Sequence, residues 1–129
     1  MKILVIGGGG FLGKHICNEL TLNQHEVYSL STKKADEYVV SYKLILASFF
    51  DLKNLQIILE DINPDLVIQC AWITNQPTYQ NDQVNLKFMG ATLALGNLVK
   101  NLKIPRFIAL GSSAEQFEID VSLNKYSNL

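Results

Sequence analysis

Five glycines within the seven residues Gly7–Gly13 (GGGGFLG) form the segment whose residue types best suit chemistry. The run follows the apolar stretch Lys2–Ile6 (KILVI). Glycines allow a sharp strand-to-helix turn and let the main chain approach a pyrophosphate, because no Cβ stands in the way. A helix that begins near Phe11 and Leu12 would point its free amides and its positive dipole end at the phosphates. The segment therefore predicts a dinucleotide-binding turn.

Two registers of the glycine fingerprint fit this run. One uses Gly8, Gly10 and Gly13 as GxGxxG, and the other uses Gly7, Gly10 and Gly13 as GxxGxxG. The alternative is a glycine-rich turn without a ligand. Four consecutive glycines lose much chain entropy on folding, which an empty turn would not need, so we favour the binding site.

The residues Ser31, Thr32 and Lys33 follow the predicted second strand. Dinucleotide sites that prefer NAD usually have Asp or Glu here, about 20 residues after the glycines, to hold the ribose 2′-hydroxyl. A hydroxyl side chain followed by lysines suits a 2′-phosphate instead. The expected cofactor is NADP or NAD, and this segment favours NADP. The alternative is a solvated loop whose lysines contact nothing.

Strand and helix patterns alternate along the chain. The strand patterns are short and apolar, and the helix patterns repeat apolar residues every three to four positions. Such alternation predicts right-handed crossovers, hence an α/β fold with a Rossmann-type parallel sheet of about five strands and helices on both faces. The predicted strands are Lys2–Ile6, Val27–Leu30, Tyr42–Ala47, Leu66–Cys70 and Phe107–Leu110. Three helices are predicted: one begins at Phe11, one follows an N-cap at Asp51, and one begins at Val84. The third helix is expected to run to Leu102 and to lie mostly within the core.

Composition excludes several functional classes. The 129 residues suit one domain, and 11 basic against 12 acidic residues give a net charge of −1. Nucleic acid and anionic membrane surfaces usually require a basic excess, so we expect neither partner. No apolar run reaches the length of about 18 residues that a spanning helix needs. The distant cysteines Cys17 and Cys70 are expected to be free thiols in a reducing cytoplasm, and no metal-ligand spacing is present.

The sequence resembles the extended short-chain dehydrogenase/reductases, the NAD-dependent epimerases and dehydratases that act largely on nucleotide-sugars. Their loop reads TGxxGFxG, which Gly7, Gly10, Phe11 and Gly13 match, with Ile6 in place of the threonine. PDLVIQCAW is similar to the family's fourth strand, QVNLKFMGATLAL to the next helix and RFIALGSSAEQF to the fifth strand. The resemblance covers only the N-terminal half of a typical member. It implies that residues 1–129 are an NAD(P)-binding domain without the C-terminal substrate lobe.

The resemblance also implies positions around the cofactor. Ala71 matches a small residue beside the central ribose, and the bulky Trp72 would reshape that edge. Asn85 stands in the place of a family asparagine. Ser48 and Phe49 occupy the place of an Asp-Ile or Asp-Leu pair beside the adenine, so the usual carboxylate is missing.

For catalysis, the family uses a serine that orients the substrate oxygen and a tyrosine that acts as acid and base beside a lysine. Ser113 occupies the position of the serine that orients the substrate oxygen in the family. Tyr126 is the candidate tyrosine, although it follows Ser113 by 13 residues, about half the usual gap, and its lysine would come directly after Leu129. The alternative is that Tyr126 is an ordinary surface residue.

The expected function is the cofactor domain of a nucleotide-sugar epimerase, dehydratase or reductase, which alone binds cofactor and turns over slowly or not at all. The alternatives are a non-catalytic NADP(H)-binding module and a reductase or isomerase of small carbonyl substrates, since one fold serves many chemistries. The family resemblance further implies a nucleotide-sugar substrate in a complete protein, and a homodimer built on the helix that begins at Val84.

Overall fold

The computed structural model of the chain describes residues 1–33, 42–73 and 83–111. Within these ranges strands and helices alternate as the sequence predicts, and most observed ends lie within a residue of the predicted ones. The elements are β1 (Lys2–Ile6), α1 (Phe11–Leu22), β2 (Glu26–Ser31), β3 (Lys43–Leu46), α2 (Leu52–Ile62), β4 (Leu66–Gln69), α3 (Val84–Asn101) and β5 (Arg106–Ala109).

The five strands form one parallel sheet in the order β3-β2-β1-β4-β5. The central strand β1 pairs with β2 on one side and β4 on the other, so Ile3 lies opposite both Val27 and Leu66. This order confirms the predicted Rossmann-type sheet. Strand order reverses beside β1, and in such sheets the ligand crevice lies outside the carboxyl ends of the strands at that reversal.

Successive residues of the strands face opposite layers of the core. Ile3 and Val5 of β1 pack towards α1, where Cys17 is buried, whereas Leu4 and Ile6 pack towards α2 and α3. Helices therefore cover both faces of the sheet, as predicted. Strands buried on both faces are largely apolar along their length, which explains the four apolar residues from Ile3 to Ile6.

Local capping fixes the ends of α2. The Asp51 side chain accepts a hydrogen bond of 3.1 Å from the Asn54 amide, which confirms the predicted N-cap. At the other end Asn63 adopts a left-handed conformation with φ of +47° and donates its amide to the Leu59 carbonyl. Asparagine tolerates this conformation better than most residues, so the helix ends before Pro64.

Helix α3 departs from expectation. Only Leu95 and Val99 of this helix are buried, whereas Leu86, Met89 and Leu93 are each at least half exposed. The three exposed residues recur at spacings of three and four, so they form one apolar face that we call the α3 stripe. The prediction that the helix lies mostly within the core is therefore wrong, because the sheet covers only one side of α3. None of the described helices is long and apolar enough to cross a membrane.

Candidate functional site

The glycine turn begins directly after β1. Gly7 has φ of +83°, and a Cβ on it would stand 2.7 Å from the Ala71 nitrogen. Its amide donates to the Leu30 carbonyl over 2.9 Å, and the Gly10 amide closes the turn on the Gly7 carbonyl over 3.0 Å. Both the backbone conformation and the contact with Ala71 require glycine at this position.

The other glycines of the turn have different neighbours. A Cβ on Gly8 would collide with Ser29, one on Gly9 with Ser31, and one on Gly13 with the Gly7 carbonyl. Of the atoms in the described ranges, a Cβ on Gly10 would meet only the Gly7 carbonyl oxygen, at 3.2 Å.

The register with Gly7, Gly10 and Gly13 suits this geometry best. A Rossmann fingerprint uses its first glycine for the tight turn, its second for approach to the pyrophosphate and its third for close packing of helix on strand. Gly7 has the positive φ, Gly13 is crowded by the strand end, and Gly10 is the glycine that internal packing explains least.

Helix α1 begins without a side-chain cap. Its N-cap is Gly10, and the first amide bonded within the helix is that of Lys14, which donates to the Gly10 carbonyl over 3.0 Å. Among the described residues, the amides of Phe11, Leu12 and Gly13 have no acceptor, and the first turn carries no acidic side chain. Free amides at the positive end of a helix favour an anion at this place.

Ser31 is the last residue of β2, as the sequence predicts. Its buried hydroxyl lies beneath Gly9 and accepts a hydrogen bond of 3.0 Å from the Lys33 amide. Thr32 and Lys33 are exposed. Within the described residues, the end of β2 therefore offers a hydroxyl, which already accepts the Lys33 amide, and the exposed Lys33 cation, but no carboxylate.

The end of β3 lies beside the end of β2. The Ala47 amide donates to the Ser31 carbonyl over 3.1 Å, which brings Ser48 close to that strand end. The Ser48 hydroxyl accepts the Phe50 amide over 3.2 Å. The Phe49 side chain is only 5% exposed and belongs to the core, so Phe49 can meet a ligand in the crevice only with its main chain.

The end of β4 completes the crevice. The Cys70 thiol donates to the Ile6 carbonyl over 3.0 Å, and Ala71 lies against Gly7. Trp72 is 44% exposed, and its ring centroid is 5.5 Å from that of Phe88. Asn85 is half-buried in the first turn of α3.

Both thiols near the turn are poor nucleophiles. Burial raises the pKa of Cys17 to about 11, although a hydrogen bond with Ser29 partly opposes that shift. Burial also raises the pKa of Cys70 to about 11. Because the thiolate is the reactive form, neither residue is suited to covalent chemistry near neutral pH.

Ser113 and Tyr126, the predicted catalytic pair, lie outside the described residues. Gln69 was not predicted as a site residue, yet it is buried in β4 and bonds to Ala71 and Thr92. The signal available was one polar residue inside the buried strand LVIQ.

A glycine turn joining the central strand of a parallel sheet to an uncapped helix, with the neighbouring strand ends around it, defines a Rossmann-type dinucleotide-binding domain. The model of the NAD dependent epimerase/dehydratase family matches residues 3–118. The chain therefore belongs to the NAD dependent epimerase/dehydratase family.

One curated relative is the decarboxylating sterol-4-alpha-carboxylate 3-dehydrogenase of Dictyostelium discoideum, 36% identical over 71 residues that make up 54% of this chain and 22% of the relative. The UDP-glucose 4-epimerase of Bifidobacterium longum, solved with NAD+ and UDP, has a TM-score of 0.75 at 19% identity and matches 88% of this chain and 37% of its own. The UDP-glucose-4-epimerase of Stenotrophomonas maltophila, solved with NAD and formylated UDP-arabinopyranose, has a TM-score of 0.72 at 20% identity. It matches 88% of this chain and 38% of its own. The chain thus spans less than two fifths of each of these proteins.

Proposed function

We propose that this domain binds a nicotinamide dinucleotide whose pyrophosphate lies on the amino end of α1. The observation that carries the proposal is the uncapped start of α1, where three successive amides, from Phe11 to Gly13, have no acceptor in the described part of the chain. Membership of the NAD dependent epimerase/dehydratase family supports the same ligand. When bound, the nicotinamide supplies the group that accepts or returns a hydride.

We propose NADP as the preferred cofactor. A carboxylate that could bond a ribose 2′-hydroxyl is absent at the end of β2 within the described chain, and the Ser31 hydroxyl is already engaged by the Lys33 amide. The exposed ammonium of Lys33 and the exposed Thr32 suit a 2′-phosphate, since lysine binds phosphate as a compact point charge. The two epimerases named above were solved with NAD, so the comparison of NAD+ with NADP+ is a direct test of this preference.

The adenosine half is proposed to lie over the ends of β2 and β3. Rossmann domains place the adenosine ribose at the end of the second strand, so the base extends towards Ser48 and the main chain of Phe49. The nicotinamide half would extend the other way, past Ala71 and Trp72 towards Asn85. This direction is supported by the sheet order, in which β4 lies on the opposite side of β1 from β2.

For the complete protein, we propose oxidation or reduction within a nucleotide-sugar epimerase, dehydratase or reductase. Ser113 would orient the substrate oxygen and Tyr126 would exchange the proton, as the family resemblance implies. Substrate contacts outside this domain would supply the binding energy that positions the reacting carbon. We therefore expect residues 1–129 to bind cofactor with little or no turnover.

A second candidate is oxidation of a substrate that is not a nucleotide-sugar. The observation that favours it is the 36% identity with a sterol-4-alpha-carboxylate 3-dehydrogenase. Thermal unfolding of the complete protein separates the two candidates: stabilisation by UDP-, GDP- or dTDP-sugars supports the first, and stabilisation by a hydroxysteroid alone supports the second.

We also propose a homodimer through the α3 stripe, defined above as Leu86, Met89 and Leu93. Three large apolar side chains in one exposed row are unusual on a monomer surface and are typical of helix–helix contacts.

The direct experiment is a titration of residues 1–129 with NADP+ and NAD+. Trp72 is the only tryptophan of the chain and lies beside the turn, so its fluorescence reports occupancy. We expect saturable quenching by both cofactors with tighter binding of NADP+. Absence of saturable binding by either cofactor would contradict the proposal, and tighter binding of NAD+ would contradict the NADP preference alone.

A further inference from the structure

Gln69 is a fully polar residue in a strand that is otherwise apolar and buried. Its side chain is 1% exposed, and its amide nitrogen donates to the Ala71 carbonyl over 2.9 Å and to the Thr92 hydroxyl over 3.1 Å. The Thr92 hydroxyl gives its own proton to the Phe88 carbonyl over 2.9 Å, so its oxygen acts as the acceptor for Gln69. Both hydrogens of the Gln69 amide are therefore used, and the network has one consistent direction.

This network fixes the peptide between Ala71 and Trp72. In a trans peptide the carbonyl and the amide point in opposite directions, and no described peptide bond is cis. Because Gln69 holds the Ala71 carbonyl inward, the Trp72 amide points away from the interior. The same peptide begins at the Ala71 Cα, which would lie 2.8 Å from a Cβ added to Gly7.

The network also reaches the indole of Trp72. Thr92 and Phe88 are one turn apart on α3, and Phe88 is the residue whose ring packs on Trp72, at 5.5 Å between centroids. One buried amide thus ties together the strand end, the segment beside the glycine turn and the helix that supports the exposed indole. A buried amide is costly to desolvate and adds little net stability even when bonded, so its two bonds act mainly on orientation.

We propose that Gln69 is a positioning residue for the dinucleotide, because it holds the Ala71–Trp72 segment at the edge of the phosphate turn. The inference rests on the proposed function, since it concerns the same crevice. Gln69 itself does not face the ligand; it acts through Ala71.

Two substitutions test this role by removing different parts of the interaction. Gln69→Leu replaces the amide with an apolar side chain of comparable volume and removes both donors. Gln69→Glu leaves one donor while the carboxyl is protonated and none once it ionises, when it also repels the Ala71 carbonyl. Burial raises the pKa of such a carboxyl, so the protonated form persists at mildly acidic pH.

The expected result is a loss of affinity that depends on pH for only one variant. Gln69→Leu should weaken dinucleotide binding about tenfold at every pH, as the loss of about one net hydrogen bond implies. Gln69→Glu should bind within about threefold of wild type at pH 5 and about tenfold more weakly at pH 8. Affinities are expressed as the ratio to wild type at each pH, which cancels titration of the ligand's phosphates.

A matched control carries the same charge change elsewhere. Gln56 lies on the exposed side of α2, away from the crevice. The affinity ratio of the Gln56→Glu variant to wild type should therefore stay near one across the pH range. Trp72 emission adds a readout that general destabilisation does not move: in the folded, unliganded Gln69→Leu protein it should shift to longer wavelength as the indole leaves Phe88.

The outcomes separate the two proposals. If wild type binds neither cofactor, the proposed function fails. If wild type binds and Gln69→Leu binds equally well with unchanged emission, the positioning role is overturned. A ratio for Gln69→Glu that stays unchanged at a pH where NMR shows its carboxylate to be ionised would overturn it too. Should Gln69→Leu not fold, Thr92→Val removes one of the two bonds, and an unchanged affinity and emission for both Thr92→Val and Gln69→Glu would contradict the role.

Discussion

Replacing Gly10 with alanine should abolish most cofactor binding while leaving the fold intact. Gly10 has φ of −78° and ψ of 172°, which alanine adopts without strain. The added Cβ would stand 3.2 Å from the Gly7 carbonyl oxygen and meet no further non-neighbouring atom of residues 1–33, 42–73 and 83–111 within 4 Å. Alanine is a poorer N-cap than glycine but restricts the unfolded chain more, so unfolding free energy should change by less than about 1 kcal/mol.

The effect on binding should be much larger. The Cβ would project beside the amides of Phe11 and Leu12, which is where we propose that the pyrophosphate binds. Hydrogen bonds to a charged group contribute about 1.5–3 kcal/mol each. Losing about two of them at the lower end of that range costs about 3 kcal/mol, which is roughly a hundredfold in the dissociation constant.

Chemical unfolding with and without NADP+ measures this difference. At a concentration about 100 times the wild-type dissociation constant, the ligand should stabilise wild type by about 2.7 kcal/mol. A hundredfold weaker variant at the same concentration is half saturated and should gain only about 0.4 kcal/mol.

Two other glycines serve as controls for the same chemical change. Gly96→Ala in α3 places its Cβ 3.5 Å from the ring of Phe107 in β5, which is an ordinary contact, and should keep the full gain from NADP+. Gly13→Ala would collide with the Gly7 carbonyl and should lower stability even without ligand, by about 1–3 kcal/mol as overpacking does. A Gly10→Ala protein that keeps the wild-type gain would refute the placement of the pyrophosphate.

Three further perturbations test the remaining proposals. Lys33→Ala should weaken NADP+ binding about fivefold to tenfold and leave NAD+ within about twofold in calorimetric titrations, as loss of one exposed phosphate contact implies; an equal effect of Lys53→Ala on α2 would contradict this role. Leu93→Lys should shift sedimentation from dimer to monomer, while Leu22→Lys, at 70% exposure against 65% for Leu93, should leave the dimer unchanged; a monomeric wild type would rule the dimer out. Because burial raises the pKa of Cys70 from 9.0 to about 11, its thiolate at pH 8 is about a hundredfold scarcer than that of an ordinary thiol. Alkylation followed by mass spectrometry should therefore be slow at pH 8, should speed up about tenfold per pH unit and should level off only near pH 11. A rate equal to that of free cysteine at pH 8 would contradict the shift.

Most of the fold could be predicted from hydrophobic periodicity and from local features such as helix caps. The KILVI run predicted β1 to the residue, because its apolar residues Ile3–Ile6 are buried on both faces and lie between Lys2 and the glycines. Asp51 predicted the start of α2, because an acidic side chain can bond the free amides of the first turn. Helix α3 was harder: its apolar residues lie all round, so hydrophobicity alone could not indicate that Leu86, Met89 and Leu93 face outward.

The site could be predicted only where one segment forms it. The glycine turn is local, so its spacing indicated the phosphate position. The register of the glycine fingerprint could be chosen only from the folded structure, because only the approach of Ala71 to Gly7 and of Gly7 to Gly13 distinguishes the glycines. Gln69 and the buried side chain of Phe49 depend on packing between distant segments, which a single sequence does not encode in its spacing.

The central claim is that the amino end of α1 receives a diphosphate. Amide NMR of residues 1–129 titrated with ADP tests it most directly, because each main-chain amide reports separately. We expect the largest shifts at Phe11, Leu12 and Gly13, and we expect them nearly to vanish when adenosine replaces ADP. Shifts of equal size with adenosine, or largest shifts away from the glycine turn, would contradict it.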